Sequence, residues 1–147
     1  MKSEPDEFGI DDLARRTRQS EPWSGVRNYQ ARNFMREMQV GDLTFFYHSS
    51  CDVPGVAGIA RISRAAYADP TQFDPESDYY DAASKRENPR WSCVDVKLER
   101  KLRRVITLAE LKAHSGRLKR MVLLKPGNRL SVTPVEKAHW DFVLGLE

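Results

Sequence analysis

Trp23-Ser24-Gly25-Val26-Arg27-Asn28-Tyr29-Gln30-Ala31-Arg32 is the stretch on which the fold turns. Its second half reads as a helix start. Asn28 is a good N-cap, and the spacing predicts a helix over 29–38 with Phe34 and Met38 on one buried face. Its first half sets a tryptophan beside a flexible glycine just before that helix. An indole placed there either presents its ring to a ligand or packs into the core. Arg27, near the helix N-terminus and its unpaired N–H groups, suits a phosphate. Asn28 carries both a donor and an acceptor, which suits a base edge as well as a cap. Each residue alone is open to a plain structural reading; grouped, they favour a site.

Downstream, Gly41-Asp42 is a turn, and Leu43 to Tyr47, with adjacent phenylalanines, reads as a strand covered on both sides. Tyr47-His48-Ser49-Ser50 follows at its C-terminal end, a usual place for binding residues. Pro54-Gly55 turns the chain into a second strand over 56–64, where Gly58 admits a close approach. Residues 65–90 hold no sustained period and read as a long loop. Ser92 to Arg100 alternates as a half-buried strand, with Val94, Val96 and Leu98 on one side. Thr107-Leu108-Ala109-Glu110 is a capping box opening a helix to about His114. Short strands are predicted at 121–124 and 129–132 around the turn Pro126-Gly127-Asn128. Thr133-Pro134-Val135-Glu136 predicts a last helix reaching Leu144. Upstream, Lys2 to Pro5 reads as a strand end. Asp11 or Asp12 caps a helix to Arg18, and Glu21-Pro22 breaks the chain. Strands interrupted by short helices give an α+β domain with a small curved sheet or partial barrel, not a series of parallel βαβ units.

The 147 residues fit one domain, with 40% hydrophobic and 31% charged residues. No apolar run is long enough for a transmembrane helix, and no charged start precedes an apolar segment; the expected location is the cytoplasm, with no membrane partner. Cys51 and Cys93 make no disulfide framework and are expected to be buried thiols. With His48, His114 and His139 scattered, no zinc spacing, phosphate loop or dinucleotide fingerprint occurs, so no metal or cofactor is expected. The charge is uneven. Residues 1–96 carry 12 Lys+Arg and 16 Asp+Glu, net −4; residues 97–120 carry nine basic and two acidic, net +7; the remainder balances. Such a block is compatible with a polyanion-facing surface and predicts salt-sensitive affinity.

Three classes of function compete. An enzyme would use His48 as base, with Ser49 or Cys51 as nucleophile or a carboxylate from Asp74, Glu76, Asp78 and Asp81 as partner. Against it, neighbouring strand residues point to opposite faces, and no Gly-x-Ser-x-Gly elbow is present. A protein-interaction scaffold would show an exposed apolar patch. Aromatic rings with short polar and basic side chains need only non-covalent physics. A splayed base stacks on such rings while polar groups read its edge. Extruding a base costs a few kcal/mol, and an added methyl group is rewarded by apolar contact.

The segments Lys2-Ser3-Glu4-Pro5, Trp23 to Arg32, Gly41-Asp42, Phe46-Tyr47-His48-Ser49-Ser50, Pro89-Arg90-Trp91 with Val94-Asp95-Val96, and Arg129-Leu130-Ser131-Val132-Thr133-Pro134-Val135 together resemble the EVE domain family of the PUA-like superfamily. The resemblance spans nearly the whole chain. It implies one domain over 1–147: a PUA-like curved, mostly antiparallel five- or six-stranded β-barrel with short peripheral helices, similar to YTH and ASCH domains. It also implies a monomer that binds modified bases such as 5-methylcytosine in DNA or RNA without catalysis. Carried over, Trp23, Ser24 and Gly25 line the base pocket, Tyr47, His48 and Ser49 sit across from them, and Ser131 completes it. Arg27 and Asn28 stand either as ligand contacts or as ties at the helix start. Relatives usually carry an aromatic-containing strand start before Lys-Ser-Glu-Pro, where this chain has only Met1: either translation starts here or an upstream start was missed, and a short first strand would cost its neighbour hydrogen bonds and weaken the barrel edge. Ser50 stands where relatives often have asparagine, a difference that bears on base specificity.

Overall fold

The structure is a computed structural model describing residues 1–147. Five strands, β1 (Lys2–Ser3), β2 (Ser20–Pro22), β3 (Leu43–His48), β4 (Gly55–Ala68) and β5 (Ser92–Thr107), form one sheet of order β1-β3-β4-β5-β2. β1 runs parallel to β3 and every other pairing is antiparallel. Around the sheet lie α1 (Pro5–Phe8), α2 (Ile10–Arg15), α3 (Tyr29–Glu37), α4 (Leu108–Ala113) and α5 (Lys137–Gly145). The α+β class is as expected.

The central strands are apolar on both faces because each face carries its own core. Phe46, Ala57, Ala60, Ile62, Val94 and Val96 pack with Leu13, Trp23 and Met35 on one side. Phe45, Tyr47, Val56, Ile59 and Ile106 pack with Leu111 and Val143 on the other. Residues of one strand alternate between the two, as the period of a strand requires. Register shifts recur along β4 and β5, and such bulges bend and twist a ladder. Gly58 does admit a close approach: a Cβ there would stand 2.6 Å from Ile10 Cδ1 of α2.

The sheet does not close into a barrel. β1 and β2 are its two edges and do not pair with each other. They are two and three residues long, and β2 ends in Pro22, which has no N–H to donate. The N–H of Lys2 donates instead to the carbonyl of Ser131 at 2.8 Å.

Local elements differ where short-range signals compete. Residues Val122–Leu124 form a 3₁₀ turn where a strand was predicted, and 129–132 form no regular element. There the Asn128 side chain accepts from the Leu130 N–H, a local bond that competes with strand pairing. The predicted Asp-capped helix to Arg18 is α2, which Asp12 opens by accepting from the N–H of Gly9 at 2.7 Å and which stops at Arg15 before a 3₁₀ turn over Thr17–Gln19; α1 precedes it where no helix was predicted. α3 starts under Asn28 as predicted, but its buried residues are Ala31 and Met35, with Phe34 and Met38 half-buried. α5 begins at Lys137, leaving Thr133 and Pro134 outside it. β4 and β5 run well past the predicted ends, held there by polar contacts such as Tyr67 Oη to Asp95 at 2.5 Å.

Candidate functional site

Between the two sheet edges lies a cleft of about 680 Å³. It is lined by β1, α1, the turn after β3 and the segment from β2 to Arg27. The cleft brings together Trp23, Ser24, Gly25, Arg27, Ser49 and Ser131. It does not include Asn28, Tyr47 or His48.

Trp23 is fixed by its N–H, which donates to Val94 O at 2.7 Å in continuation of the β2–β5 ladder. Its ring is 8% exposed and sits edge-on to Phe46 and Phe8, with centroids 5.4 and 6.5 Å away. The indole is therefore the floor of the cleft, anchored in the core, and not a ring standing free in solvent. Ser24 is exposed beside it. Gly25 has φ +86°, a conformation that favours glycine, and the Tyr79 ring covers it so closely that a Cβ would meet Tyr79 Cζ at 2.8 Å.

Arg27 is tied inward. It forms an ion pair with buried Asp69 at 3.0 Å, donates to Thr71 Oγ1 at 2.9 Å and gives two bonds to Tyr79 O. Asp69 also accepts from the N–H of Gly25 at 2.8 Å and from Thr71. Burial alone would raise the Asp69 pKa. The bonds from Thr71, Gly25 and Arg27 outweigh it and hold the carboxyl below the ordinary aspartate value. This set fixes the strand-to-helix turn against the 69–91 loop. The loop is itself clamped by buried Gln72, which accepts from Trp91 N–H at 3.0 Å and donates to Trp91 O at 2.8 Å.

Asn28 acts as the helix cap, accepting from Ala31 N–H at 3.0 Å. Tyr47 points to the opposite core, with Phe45 and Val56. Burial there pushes its hydroxyl pKa up to about 12. His48 lies on the Trp23 side, but its Nε2 accepts from the N–H of Ile10 at 3.1 Å. Burial lowers its pKa, partly opposed by the charge of Asp11. The imidazole is thus a neutral acceptor holding α2 to the sheet. Two acids of the 74–81 loop are engaged elsewhere: Asp81 accepts from Trp91 Nε1 at 2.8 Å, and Asp74 from Glu76 N–H at 3.0 Å.

The remaining cleft wall includes Lys2, Glu4, Glu7, Arg16, Tyr79 and Arg129. Lys2, Glu4 and Arg129 lie in motifs visible in the sequence, though nothing local marked them as facing a cleft. Tyr79 lies in the segment read as a long loop, and only the fold sets it over Gly25. Of the nine basic residues of 97–120, four are paired with acids: Arg100 and Arg103 with Glu147, Arg104 with Glu110, and Lys101 with Asp11. Arg100 holds Glu147 down to about 2. Cys93 is buried and Cys51 half-buried. No helix is long and apolar enough to cross a membrane.

The profile of the EVE domain matches residues 1–146. Thymocyte nuclear protein 1 of Danio rerio is 49% identical over the whole of this chain and 70% of its own length. A crystal structure of a Pseudomonas putida protein superposes with a TM-score of 0.94 at 53% identity, covering 99% of this chain and 96% of that one. The human THYN1 protein, solved in complex with 5-methylcytosine-containing DNA, superposes with a TM-score of 0.96 at 46% identity, covering 99% and 94%. With the fold, the cleft and the full-length match in agreement, the chain belongs to the EVE domain family.

Proposed function

We propose that this protein binds DNA carrying 5-methylcytosine, receiving the modified base in the cleft between β1 and β2, and that it does so without catalysis. The observation that carries the reading is the likeness to the human THYN1 protein in complex with such DNA, together with an open cleft at the same place in the sheet as the matched motifs. The chemistry of the wall fits. Trp23 offers an apolar edge to a methylated ring, Ser24 and Ser49 offer short donors and acceptors, and Glu4 and Glu7 offer acceptors for the amino group of cytosine. Arg27 serves as a positioning residue that holds Tyr79 and Gly25 at the rim. The non-catalytic reading is supported by His48, whose Nε2 is already taken by Ile10.

The test is a binding panel of duplexes identical except for one base: cytosine, 5-methylcytosine, 5-hydroxymethylcytosine or N6-methyladenine. Preference for 5-methylcytosine is expected, and Trp23→Phe should reduce that preference while keeping the fold. Equal affinity for all four duplexes overturns the reading.

A further inference from the structure

A second hollow, of about 440 Å³, lies between α3 and the segment 83–90. Arg32, Arg36, Lys85 and Arg90 converge on it, with Asn88 and the half-exposed ring of Tyr29 at the rim. The only carboxylate paired with these four cations is Asp81, 3.3 Å from Arg90, and Asp81 is shared with Trp91 Nε1. Arg32 donates to Arg90 O at 2.9 Å and to Asn33 Oδ1; Arg36 donates to Ser92 Oγ at 3.0 Å. These neutral acceptors fix the guanidinium planes and leave their charge uncompensated. Burial and the charge of Arg36 lower the pKa of Arg32, as crowded cations should. The Lys85 ammonium has no bonded partner, and Arg86 next to it turns away over the Phe73 ring.

This hollow is joined to the first cleft by a ladder of stacked groups. Tyr29 stacks on Trp91 with centroids 4.9 Å apart. Trp91 also meets the Arg27 guanidinium at 5.5 Å, and Arg27 in turn lies 5.6 Å from the Tyr79 ring. Tyr79 is the wall of the Trp23 cleft. Three short steps therefore separate a base-sized cleft from a cationic one, a span that a few nucleotides cover.

We propose that the Arg32–Arg36–Lys85–Arg90 hollow is a phosphodiester site for the backbone of the strand whose base enters the Trp23 cleft; it rests on the function proposed above. A phosphate oxygen here accepts charge-assisted bonds from Lys85 and Arg90, with Arg32 and Arg36 supplying field from behind. A backbone contact of this kind adds affinity without sequence or modification preference.

The experiment compares the wild-type chain, Lys85→Ala and Lys85→Ala/Arg90→Gln on a 5-methylcytosine duplex and its unmodified twin, across a salt series. Thermal melts check folding. Each lost phosphate contact should weaken both duplexes by the same several-fold factor and reduce the log–log salt slope by about 0.9, leaving their ratio unchanged. Trp23→Phe should do the opposite, changing the ratio and not the slope. Unchanged affinity and slope in the double variant overturn the proposal. If the wild type shows no preference for the modified duplex, the base reading fails and the slope on unmodified duplex still decides this one. If no duplex binds, titration with inorganic pyrophosphate followed by NMR decides it: shifts confined to the amides of 29–36 and 83–90 support the site, and their absence overturns it. Binding of polyglutamate in preference to either duplex, lost in Lys85→Ala, assigns the hollow to acidic peptides and also overturns it.

Discussion

Arg27 and Asp69 form an ion pair of 3.0 Å in which the acid is wholly buried and the base is one-fifth exposed. The pair joins the start of α3 to the loop between β4 and β5. Asp69→Ala would leave Arg27, the Gly25 N–H and Thr71 without their shared acceptor, and should destabilise the protein by roughly 3–5 kcal/mol in urea unfolding. Asp69→Asn keeps the shape and should cost less. Because the folded pKa of Asp69 lies below the 3.8 of a free aspartate, its contribution is complete above that value. It is lost as pH falls through the folded pKa. Acid unfolding of Asp69→Asn should therefore lack one carboxylate's share of the wild-type decline below pH 3.8.

Gly25→Ala combines two penalties. At φ +86° an alanine is strained, at about 1–3 kcal/mol, and its methyl group collides with Tyr79. Adding Tyr79→Ala should return the collision part and leave the backbone part. A double-mutant cycle by chemical denaturation reads the difference. No recovery in the double variant would mean that the Tyr79 ring does not close over the turn.

His48 gives a second pH signature. Its pKa is lowered from 6.5 by burial, so between 6.5 and the folded value the unfolded chain binds more protons. Stability should be full above pH 6.5 and decline as pH falls towards the folded pKa. His48→Gln should flatten that decline in unfolding curves taken from pH 8 to pH 5. His48→Ala should cost about 1–3 kcal/mol at neutral pH, the price of an unpaired Ile10 N–H.

The two thiols should differ in reactivity. Burial pushes Cys93 up to about 11, and its side chain is inaccessible, whereas Cys51 is half-buried near the end of β3. Native protein treated with a chromogenic thiol reagent at pH 8 should label Cys51 first, with Cys93 reacting only after denaturant is added. Cys51→Ser should abolish the native signal.

The start of α3 was legible because its signal is local: an asparagine cap acts on an N–H three residues away. β3 was legible as a short apolar run and β4 and β5 from alternation, although the far ends of β4 and β5 were not, since Tyr67 and Lys101 stay in the ladder through partners that no pattern reveals. The barrel implied by the resemblance was not borne out, because β1 and β2 stay as short, separate edges of the sheet. Trp23 could be read either as floor or as free ring; the perpendicular Phe46 and Phe8 rings that decide between them come from elsewhere in the chain. The partners of the +7 block were not legible, since Arg100, Arg104 and Lys101 meet Glu147, Glu110 and Asp11 only through the fold. Tyr79 and the Arg32–Lys85 hollow depend on a loop returning to α3, which no spacing rule reports.

The open seam of the sheet has a mechanical consequence. β1 is held to β3 by the register Lys2↔Tyr47 and Ser3↔His48 and by the Met1 ammonium on the Phe45 carbonyl, and β2 to β5 by three residue pairs. Elements with so few backbone bonds open at a fraction of the global free energy. The walls can therefore breathe while the β3-β4-β5 ladder stays intact, letting a flat ring enter without global unfolding. A molecule gripped by both walls becomes the missing strut of the sheet. Amides at 2–3 and 20–23 should then exchange with deuterium more slowly when the cleft is filled.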